Sequence, residues 1–383
     1  MKLRTVLLTI TLIVIITLSM IITVIWFSDY VPSTPEFFVG VEFAYSYGDE
    51  ADSRSLLNDL KSLVDKVRNY TNLFVIGSLE VSFNQTLLDE ACDYVYNSGL
   101  YFIVFFTNPY QYDYEPHAWI LQAIPKYGDK FLGVYRYDEP GGHQLDRGPS
   151  NFVVEAEDDA EAAETFVDYL HVHIKDYLDS SPKTFTADYG LYWFDYKGGY
   201  TAVFAEFGFN LSRTVHTALC RGAATAQNKD WGAIITWTYN EYPYIENGTA
   251  LYNDLVLAYQ NGAKYIAIFN YPKIGQYGIL NDEHFDALKN FWNYAKSNPH
   301  DYGAAQGKVA YVLPRDYGFG FRSATDTIWG LWQADELAEK IWNDVNMLSE
   351  QFGSSLDIVY DDPEFDNALR NQYDQLFFWN ETT

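Results

Sequence analysis

Two glutamates each close an apolar run that has the pattern of a buried strand. Glu139 comes near the end of residues 131–140, FLGVYRYDEP, and Glu241 ends residues 233–241, AIITWTYNE. Turn residues follow both, Pro140-Gly141-Gly142 in one case and Tyr242-Pro243 in the other. Paired carboxyl groups can cleave a glycosidic bond, because one protonates the leaving oxygen while the other attacks or activates water. The sequence therefore predicts Glu139 and Glu241 as a catalytic pair.

An α/β barrel would bring two such strand ends together, because the carboxyl ends of all its strands open onto one face. Strand patterns occur at residues 38–43, 73–76, 101–107, 131–137, 184–189, 210–215, 233–238 and 265–270. Helical patterns lie between them, including residues 55–69, 85–98, 160–177 and 253–261, and residues 284–295 follow the last strand. This alternation predicts an α/β fold of the (β/α)8 barrel type.

A second unit follows Asn298-Pro299. Residues 308–313, 356–360 and 376–379 have strand patterns, and residues 331–348 have the pattern of an amphipathic helix. The order predicts a small, open, mostly parallel α/β sheet. The predicted domains are residues 1–30, a cytoplasmic stub with a transmembrane anchor, residues 31–299, the barrel, and residues 300–383, the sheet.

The N-terminal segment predicts the cellular location. Residues 5–27 carry no charged side chain, and this segment is longer than the roughly 20 residues needed to cross a bilayer. No small-residue cleavage site follows it. Lys2 and Arg4 should stay in the cytoplasm, so we expect a single-pass protein of the cell membrane with extracellular main domains. Sequons at Asn69, Asn84, Asn210, Asn247 and Asn380 suit an exported glycoprotein.

The composition limits the partners and cofactors. A formal net charge of −27 argues against nucleic acid and anionic lipid headgroups, because phosphate binding needs clustered Lys and Arg. The 7 His are scattered without metal-ligand spacing, which disfavours a metal-dependent deacetylase. We expect no cofactor and no metal. Cys92 and Cys220 are predicted to be free, buried thiols, although a disulfide is possible outside the cell.

The sequence Tyr137-Asp138-Glu139-Pro140 resembles the Asn-Glu-Pro motif that ends strand four in clan A glycoside hydrolases. Glu241 falls where that clan carries its nucleophile, at the end of strand seven. The resemblance implies that Glu139 is the acid/base and Glu241 the nucleophile of a retaining, double-displacement mechanism.

Asp138 departs from this motif, because the family has Asn there. An ionised Asp can only accept a hydrogen bond from a sugar hydroxyl, and a neighbouring carboxylate would raise the pKa of Glu139. In the alternative interpretation Asp138 turns away from the site and caps the loop through Gly141-Gly142.

Further candidates for substrate binding are acidic, amide or aromatic side chains near predicted strand ends. Flat rings at a barrel mouth can stack on the apolar faces of sugars, although each ring could equally belong to the core. The set is Asp138, Trp237, Tyr239, Asn240, Tyr242, Glu42, Asp188, Tyr189, Trp193 and Tyr271. Among these, Glu42 and Asp188 are predicted to point inward from the ends of strands one and five.

The order of the two main units is similar to that of bacterial and archaeal β-galactosidases, in which a flavodoxin-like or amidotransferase-like domain follows the barrel. That resemblance implies a homo-oligomer assembled through the C-terminal unit. The predicted function is a membrane-anchored extracellular glycosidase that acts on cell-surface or environmental glycans. The alternative is an inactive barrel that binds glycans or belongs to the cell envelope. Two facing carboxylates favour the enzyme, and Asp138 in place of Asn favours the alternative.

Overall fold

The structure is a computed structural model that describes residues 35–46, 53–107, 111–146, 148 and 151–381. The predicted anchor, residues 5–27, lies outside these ranges. Within them, no helix combines the length and the apolar character that a membrane span requires. From residue 37 onward, the described residues form one compact unit. The predicted domain boundaries stay a prediction.

Eight parallel strands close into a barrel in which each strand pairs with the next and the last pairs with the first. This confirms the predicted fold class. The strands are β1 Phe38–Phe43, β2 Leu73–Ile76, β3 Tyr101–Phe106, β4 Phe131–Arg136, β5 Thr184–Asp188, β6 Ala202–Phe207, β7 Asp230–Ile235 and β8 Tyr265–Ile268.

Helices follow the strands and form the outer layer. They are α1 Ser53–Val67, α2 Leu79–Ser82, α3 Gln85–Asn97, α4 Pro116–Tyr127, α5 Pro140–Leu145, α6 Asp159–Ser180, α7 Tyr192–Gly198, α8 Arg213–Ala226, α9 Gly248–Gln260 and α10 Asp282–Ser297. Several have side-chain N-caps; Asn84 and Asn247, for example, accept hydrogen bonds from the first turns of α3 and α9.

The predicted sixth strand, residues 210–215, is wrong. Ser212 caps α8 by accepting a hydrogen bond from the backbone N–H of Val215, so the second half of that segment is the first turn of a helix. The strand lies earlier, at Ala202–Phe207.

Side chains alternate along each barrel strand between the barrel interior and the helices. Phe38, Phe185, Phe204 and Tyr265 are among the large residues that fill the interior. Their neighbours pack outward into a larger core between strands and helices. Cys92 and Cys220 are both free and buried, as predicted.

A three-stranded parallel sheet follows the barrel, in the order β10-β9-β11. Its elements are β9 Val309–Leu313, α11 Glu336–Phe352, β10 Leu356–Tyr360, α12 Asn367–Arg370 and β11 Gln375–Phe378. The small parallel sheet is therefore confirmed. Its likeness to the β-galactosidase domain and its role in assembly stay predictions.

Arg221 on α8 joins the barrel to this sheet. Its Nε donates to Asp357 Oδ1 at 2.7 Å, Nη1 donates to Asn261 Oδ1 and to the Ala305 carbonyl, and Nη2 donates to the carbonyls of Ser354 and Leu356. All five guanidinium donors thus have an acceptor. Gly222 allows the close approach, because a Cβ there would lie 2.4 Å from the carbonyl oxygen of Ile358. We call this contact the Arg221 seam.

Candidate active site

Two adjoining cavities open at the carboxyl ends of the barrel strands. The first has a volume of about 270 Å³ and the second about 580 Å³. Five residues line both cavities, namely Glu139, Glu206, Thr236, Phe269 and Tyr271. The cavities therefore form one cleft, with Glu139 and Glu206 at the boundary between its two parts.

Glu139 reaches this boundary through a strained turn after β4. Tyr137 and Glu139 have φ angles of 59° and 52°, in the left-handed region that residues other than glycine seldom adopt. Strand β5 holds the turn: Thr186 Oγ1 donates to the Tyr137 carbonyl at 2.7 Å, and Glu139 N donates to the Ala187 carbonyl at 2.9 Å. Strain of this kind is maintained at functional sites by the surrounding structure.

Asp188 on β5 holds the turn around Glu139 through hydrogen bonds to the backbone. Its buried carboxylate accepts hydrogen bonds from the backbone N–H groups of Gly141, Gly142, Tyr189 and Gly190, at 2.5, 2.8, 2.7 and 3.1 Å. Burial raises its pKa to about 7, against the opposing effect of these donors. The expectation that Asp188 points into the cavity is wrong, because its side chain holds the first turn of α5.

Asp138 points into the first cavity. It is buried, and the Tyr135 hydroxyl donates a hydrogen bond to its carboxylate. Burial raises its pKa above the usual range, with Tyr135 opposing the shift. The loop cap that was the alternative role of Asp138 is made by Asp188 instead.

Glu139 and Glu206 both line the two cavities, and each shifts the pKa of the other. Glu206 lies on β6 with the same inward orientation as Ala202 and Phe204. Burial, and then the charges of Glu139 and Asp138, raise the pKa of Glu206 well above its usual range. Burial, and then Asp138, raise the pKa of Glu139 to about 7. The interaction between the two carboxyls raises the pKa of Glu206 and lowers that of Glu139, so Glu206 holds a proton more readily than it would without Glu139.

Glu42 adds a carboxyl group to the first cavity, as predicted for the end of strand one. It points inward from β1, on the same face as Phe38, and is 4% exposed. Burial, and then the charge of Asp138, raise its pKa to about 8.

Glu241 does not reach the cleft. Strand β7 ends at Ile235, and the chain beyond it folds back on itself, with the N–H groups of Thr238 and Tyr239 donating to the Tyr244 carbonyl. Glu241 lies exposed at the tip of this loop and lines neither cavity. The expected pairing of Glu139 with Glu241 is therefore not formed, because five residues of loop separate Glu241 from its strand.

The other predicted binding residues divide into two groups. Tyr189, Trp237 and Tyr271 line the second cavity, where the Trp237 indole N–H donates to the Tyr271 carbonyl at 2.7 Å. Tyr239, Asn240 and Tyr242 are exposed on the loop with Glu241, and Tyr242 is 73% exposed. Trp193 is buried on α7 against Tyr360 of β10, so it belongs to the core.

A segment of the C-terminal unit, residues 314–335, completes the rim and clamps α5. Arg322 lines the second cavity and forms ion pairs with Asp326 at 2.7 Å and with Asp146. Thr327 Oγ1 donates to the Leu145 carbonyl at 2.9 Å, and Gln144 Nε2 donates to the Trp329 carbonyl at 2.7 Å. The helix that follows Glu139 is therefore held from the C-terminal side as well.

Sequence reasoning missed Glu206 because it placed the sixth strand too late. If residues 210–215 were the sixth strand, Glu206 would lie in the loop before it and not in the barrel. The signal is present, since Ala202-Val203-Phe204-Ala205-Glu206 is an apolar run that leads into a glutamate, as in the fourth strand.

Comparisons with known proteins are limited to the fold. No family model and no curated protein matches the sequence. The chain is similar to α-L-fucosidase isoenzyme 2 from Paenibacillus thiaminolyticus, with a TM-score of 0.56 and 11% identity over 89% of this chain and 59% of that one. It is similar to GH5_18 from Streptomyces cattleya in complex with GlcNAc, with a TM-score of 0.56 and 12% identity over 91% and 99%. At these identities the similarity shows a shared barrel fold, and this chain spans 59% of the fucosidase.

Proposed function

We propose that the protein is a glycoside hydrolase whose catalytic carboxyl groups are Glu139 and Glu206. The observation that carries the proposal is their position together at the boundary of the two cavities. If a glycan occupied both cavities, the glycosidic bond at their boundary would lie beside both Glu139 and Glu206. Both similar barrels named above are consistent with this chemistry, one being a fucosidase and the other holding GlcNAc.

The two carboxyl groups have different environments, and these suggest their roles. Burial and the charge of Glu139 raise the pKa of Glu206, which favours Glu206 as the general acid that protonates the leaving oxygen. The interaction with Glu206 lowers the pKa of Glu139, which favours Glu139 as the carboxylate that attacks the anomeric carbon and forms a glycosyl ester, which water then cleaves. Two carboxyls that affect each other's pKa at one cavity boundary suit the separation of about 5–5.5 Å of retaining enzymes better than the roughly 6.5–9.5 Å of inverting ones. Retention is therefore the favoured outcome.

Substitution of each carboxyl tests the mechanism on a panel of aryl glycosides. Glu139→Gln should lower kcat/KM by at least about 10³-fold on every aryl glycoside, and Glu206→Gln should do so for those with poor leaving groups, with circular dichroism unchanged. Azide should restore turnover in both Ala variants. It should give a product of retained configuration in Glu206→Ala and of inverted configuration in Glu139→Ala. Variants that both stay within tenfold of the wild type would refute the proposal.

We also propose that residues 5–27 anchor the protein in the cell membrane with the barrel outside. The support is the sequence alone, an uncharged segment of sufficient length preceded by Lys2 and Arg4. Carbonate washing of native membranes should leave the protein in the pellet. Its release in the wash with an intact N-terminus would contradict the anchor.

A further inference from the structure

The first cavity gathers carboxyl groups without a basic partner. Glu42, Asp138, Glu139 and Glu206 line it, and no Lys, Arg or His is found among the described residues that do so. The nearby cations are engaged elsewhere. Lys273 pairs with Asp59 at 2.5 Å, and its ammonium lies over the ring of Tyr45 at 5.3 Å from the centroid without lining the cavity itself. Arg136 points away from the barrel interior, with its guanidinium over Tyr137 and Tyr177.

Glu42 distinguishes this cavity from an ordinary acidic cluster. Its side chain is 4% exposed, and only burial and the like charge of Asp138 act on its pKa, with no hydrogen bond or cation of the described residues opposing them. The carboxyl lies against the backbone of Gly77, where a Cβ would come within 2.1 Å of Oε1. A buried carboxyl without a partner costs stability, and natural proteins retain such groups chiefly where a ligand completes them.

The remaining walls favour an organic ligand. Phe105, Ile234 and Phe269 are apolar, and Tyr45, Tyr135 and Tyr271 present rings with hydroxyl groups. Such walls suit the apolar faces of a sugar, and aromatic rings also attract a cation. No group of three or more potential metal ligands has a metal-binding arrangement in the described ranges. A volume of about 270 Å³ is small, below the roughly 300–1,000 Å³ of pockets for drug-sized molecules, and suits a single ring.

We propose that the first cavity binds a sugar ring that carries a protonated amine, with the ammonium group between Glu42 and Asp138. The inference rests on the proposed function, because it names the substrate class of the same cleft. The charge of the ligand supplies the cation that the cavity lacks, and the aromatic walls cover the ring.

Binding of such a ligand should release protons. In the empty cavity burial raises the pKa of Glu42 to about 8 and that of Glu139 to about 7, and Asp138 shifts in the same direction. An ammonium group beside these carboxyls favours their ionised forms. Glu206, Tyr45, Tyr135 and Tyr271 also face the cavity, and burial raises the pKa of Glu206 and of Tyr135 well above their usual ranges. A neutral sugar offers no charge and should release no proton.

Matched pairs of methyl glycosides test the charge alone. Glucosamine with glucose, galactosamine with galactose, and mannosamine with mannose differ within each pair only in an amine or a hydroxyl at C2. Titration calorimetry of the full chain at pH 6 should show at least tenfold tighter binding of the amine in at least one pair. Repeating it in buffers of different ionisation enthalpy should show proton release for the amine only.

The variant Glu42→Gln should reduce the amine preference to about onefold while the neutral sugar of the pair binds as before. Glu241→Gln, an exposed glutamate on the same face, is the matched control and should keep the preference. If the Glu42→Gln protein does not fold, the proposal can still be tested, because proton release on amine binding is measured with the wild type alone.

Three results would overturn the inference: equal or tighter binding of the neutral sugar in every pair, no binding by any of the sugars, or tight Ca²⁺ binding that Glu42→Gln removes. Failure of the proposed function is seen separately. If neutral glycosides are cleaved and depend on Glu139 and Glu206, the hydrolase stands without the amine. If amino sugars bind with the expected preference but no glycoside is cleaved, the inference stands for a binding protein.

Discussion

The Arg221 seam and the first cavity both bury charged groups, and they treat them in opposite ways. At the seam one guanidinium has an acceptor for each of its five donors, and its partner Asp357 accepts a further hydrogen bond from the Tyr373 hydroxyl. In the first cavity Glu42, Asp138, Glu139 and Glu206 meet without a cation among the described lining residues, and burial raises the pKa of each.

The difference indicates that the Arg221 seam stabilises the fold, whereas the carboxyl groups of the first cavity have the arrangement that our proposal assigns to a ligand site. A buried ion pair with complete hydrogen bonding loses most when one partner is removed, because the other charge is then left uncompensated. Carboxyls without a cation instead oppose folding as they ionise. The seam should therefore respond to substitution with loss of stability, and the cavity should respond with a gain that depends on pH.

The largest effect on stability is expected at the seam. Arg221→Met should lower the free energy of unfolding by about 3–5 kcal/mol, because Asp357 would stay buried without its cation. Urea denaturation at pH 7 measures this. Arg54→Met is the matched control, since Arg54 pairs with Glu90 at an exposed position, and it should cost less than about 1 kcal/mol. Equal losses in the two variants would show that the seam contributes no more than a surface pair.

A smaller effect of opposite sign is expected at Glu42. Its pKa is about 8 in the folded state, against the ordinary value of 4.5, so the folded protein holds a proton that the unfolded chain has lost between these two pH values. Stability therefore falls as pH rises from about 4.5 to about 8. Glu42→Gln removes this dependence and should be more stable than the wild type by a few kcal/mol at pH 8, with little difference at pH 4.

Thermal denaturation of both proteins across this pH range checks the sign. An advantage of Glu42→Gln that is the same at pH 4 and pH 8 would mean that Glu42 acts through packing and not through its charge. Glu241→Gln serves again as the exposed control and should show no such trend.

The smallest effect concerns Glu241 itself. Glu241→Gln should keep kcat/KM within about twofold of the wild type, because the side chain is exposed and lines neither cavity. The assay is the one used for Glu139→Gln and Glu206→Gln. A loss of more than 100-fold would show that the loop at residues 236–244 folds into the cleft during catalysis, and it would restore Glu241 to the site.

Much of the barrel could be predicted because its strands have strong local signals. Strands β1 and β2 match their predicted bounds, and Glu139 ends its strand in a recognisable motif. Predictions failed where a tertiary interaction decides the structure. The sequence around Leu211 and Val215 has a strand pattern, yet the cap at Ser212 and packing against the sheet make it the start of a helix.

Only part of the candidate site could be predicted from the sequence, for the same reason. Glu139, Asp138, Glu42, Trp237, Tyr189 and Tyr271 were placed near the cleft by strand ends that the sequence marks clearly. Glu206 needed the correct position of β6, and Glu241 needed the path of a loop that bonds to itself. Whether the Asp188 side chain points into the cavity or toward the first turn of α5 depends on backbone donors that lie 46 and 47 residues away in the chain. No local sequence pattern reveals such distant donors.

The clamp that residues 314–335 place on α5 has a consequence for how this protein can be divided. A cut near residue 299 would keep all eight barrel strands, yet it would remove Thr327, Trp329 and Arg322, which hold Leu145, Gln144 and Asp146. The helix that begins directly after Glu139 would then keep only its contacts within the barrel. Modular exchange of the C-terminal sheet between related barrels should therefore leave residues 314–335 with the barrel, because they hold the helix that begins directly after Glu139 although they follow the barrel in the chain.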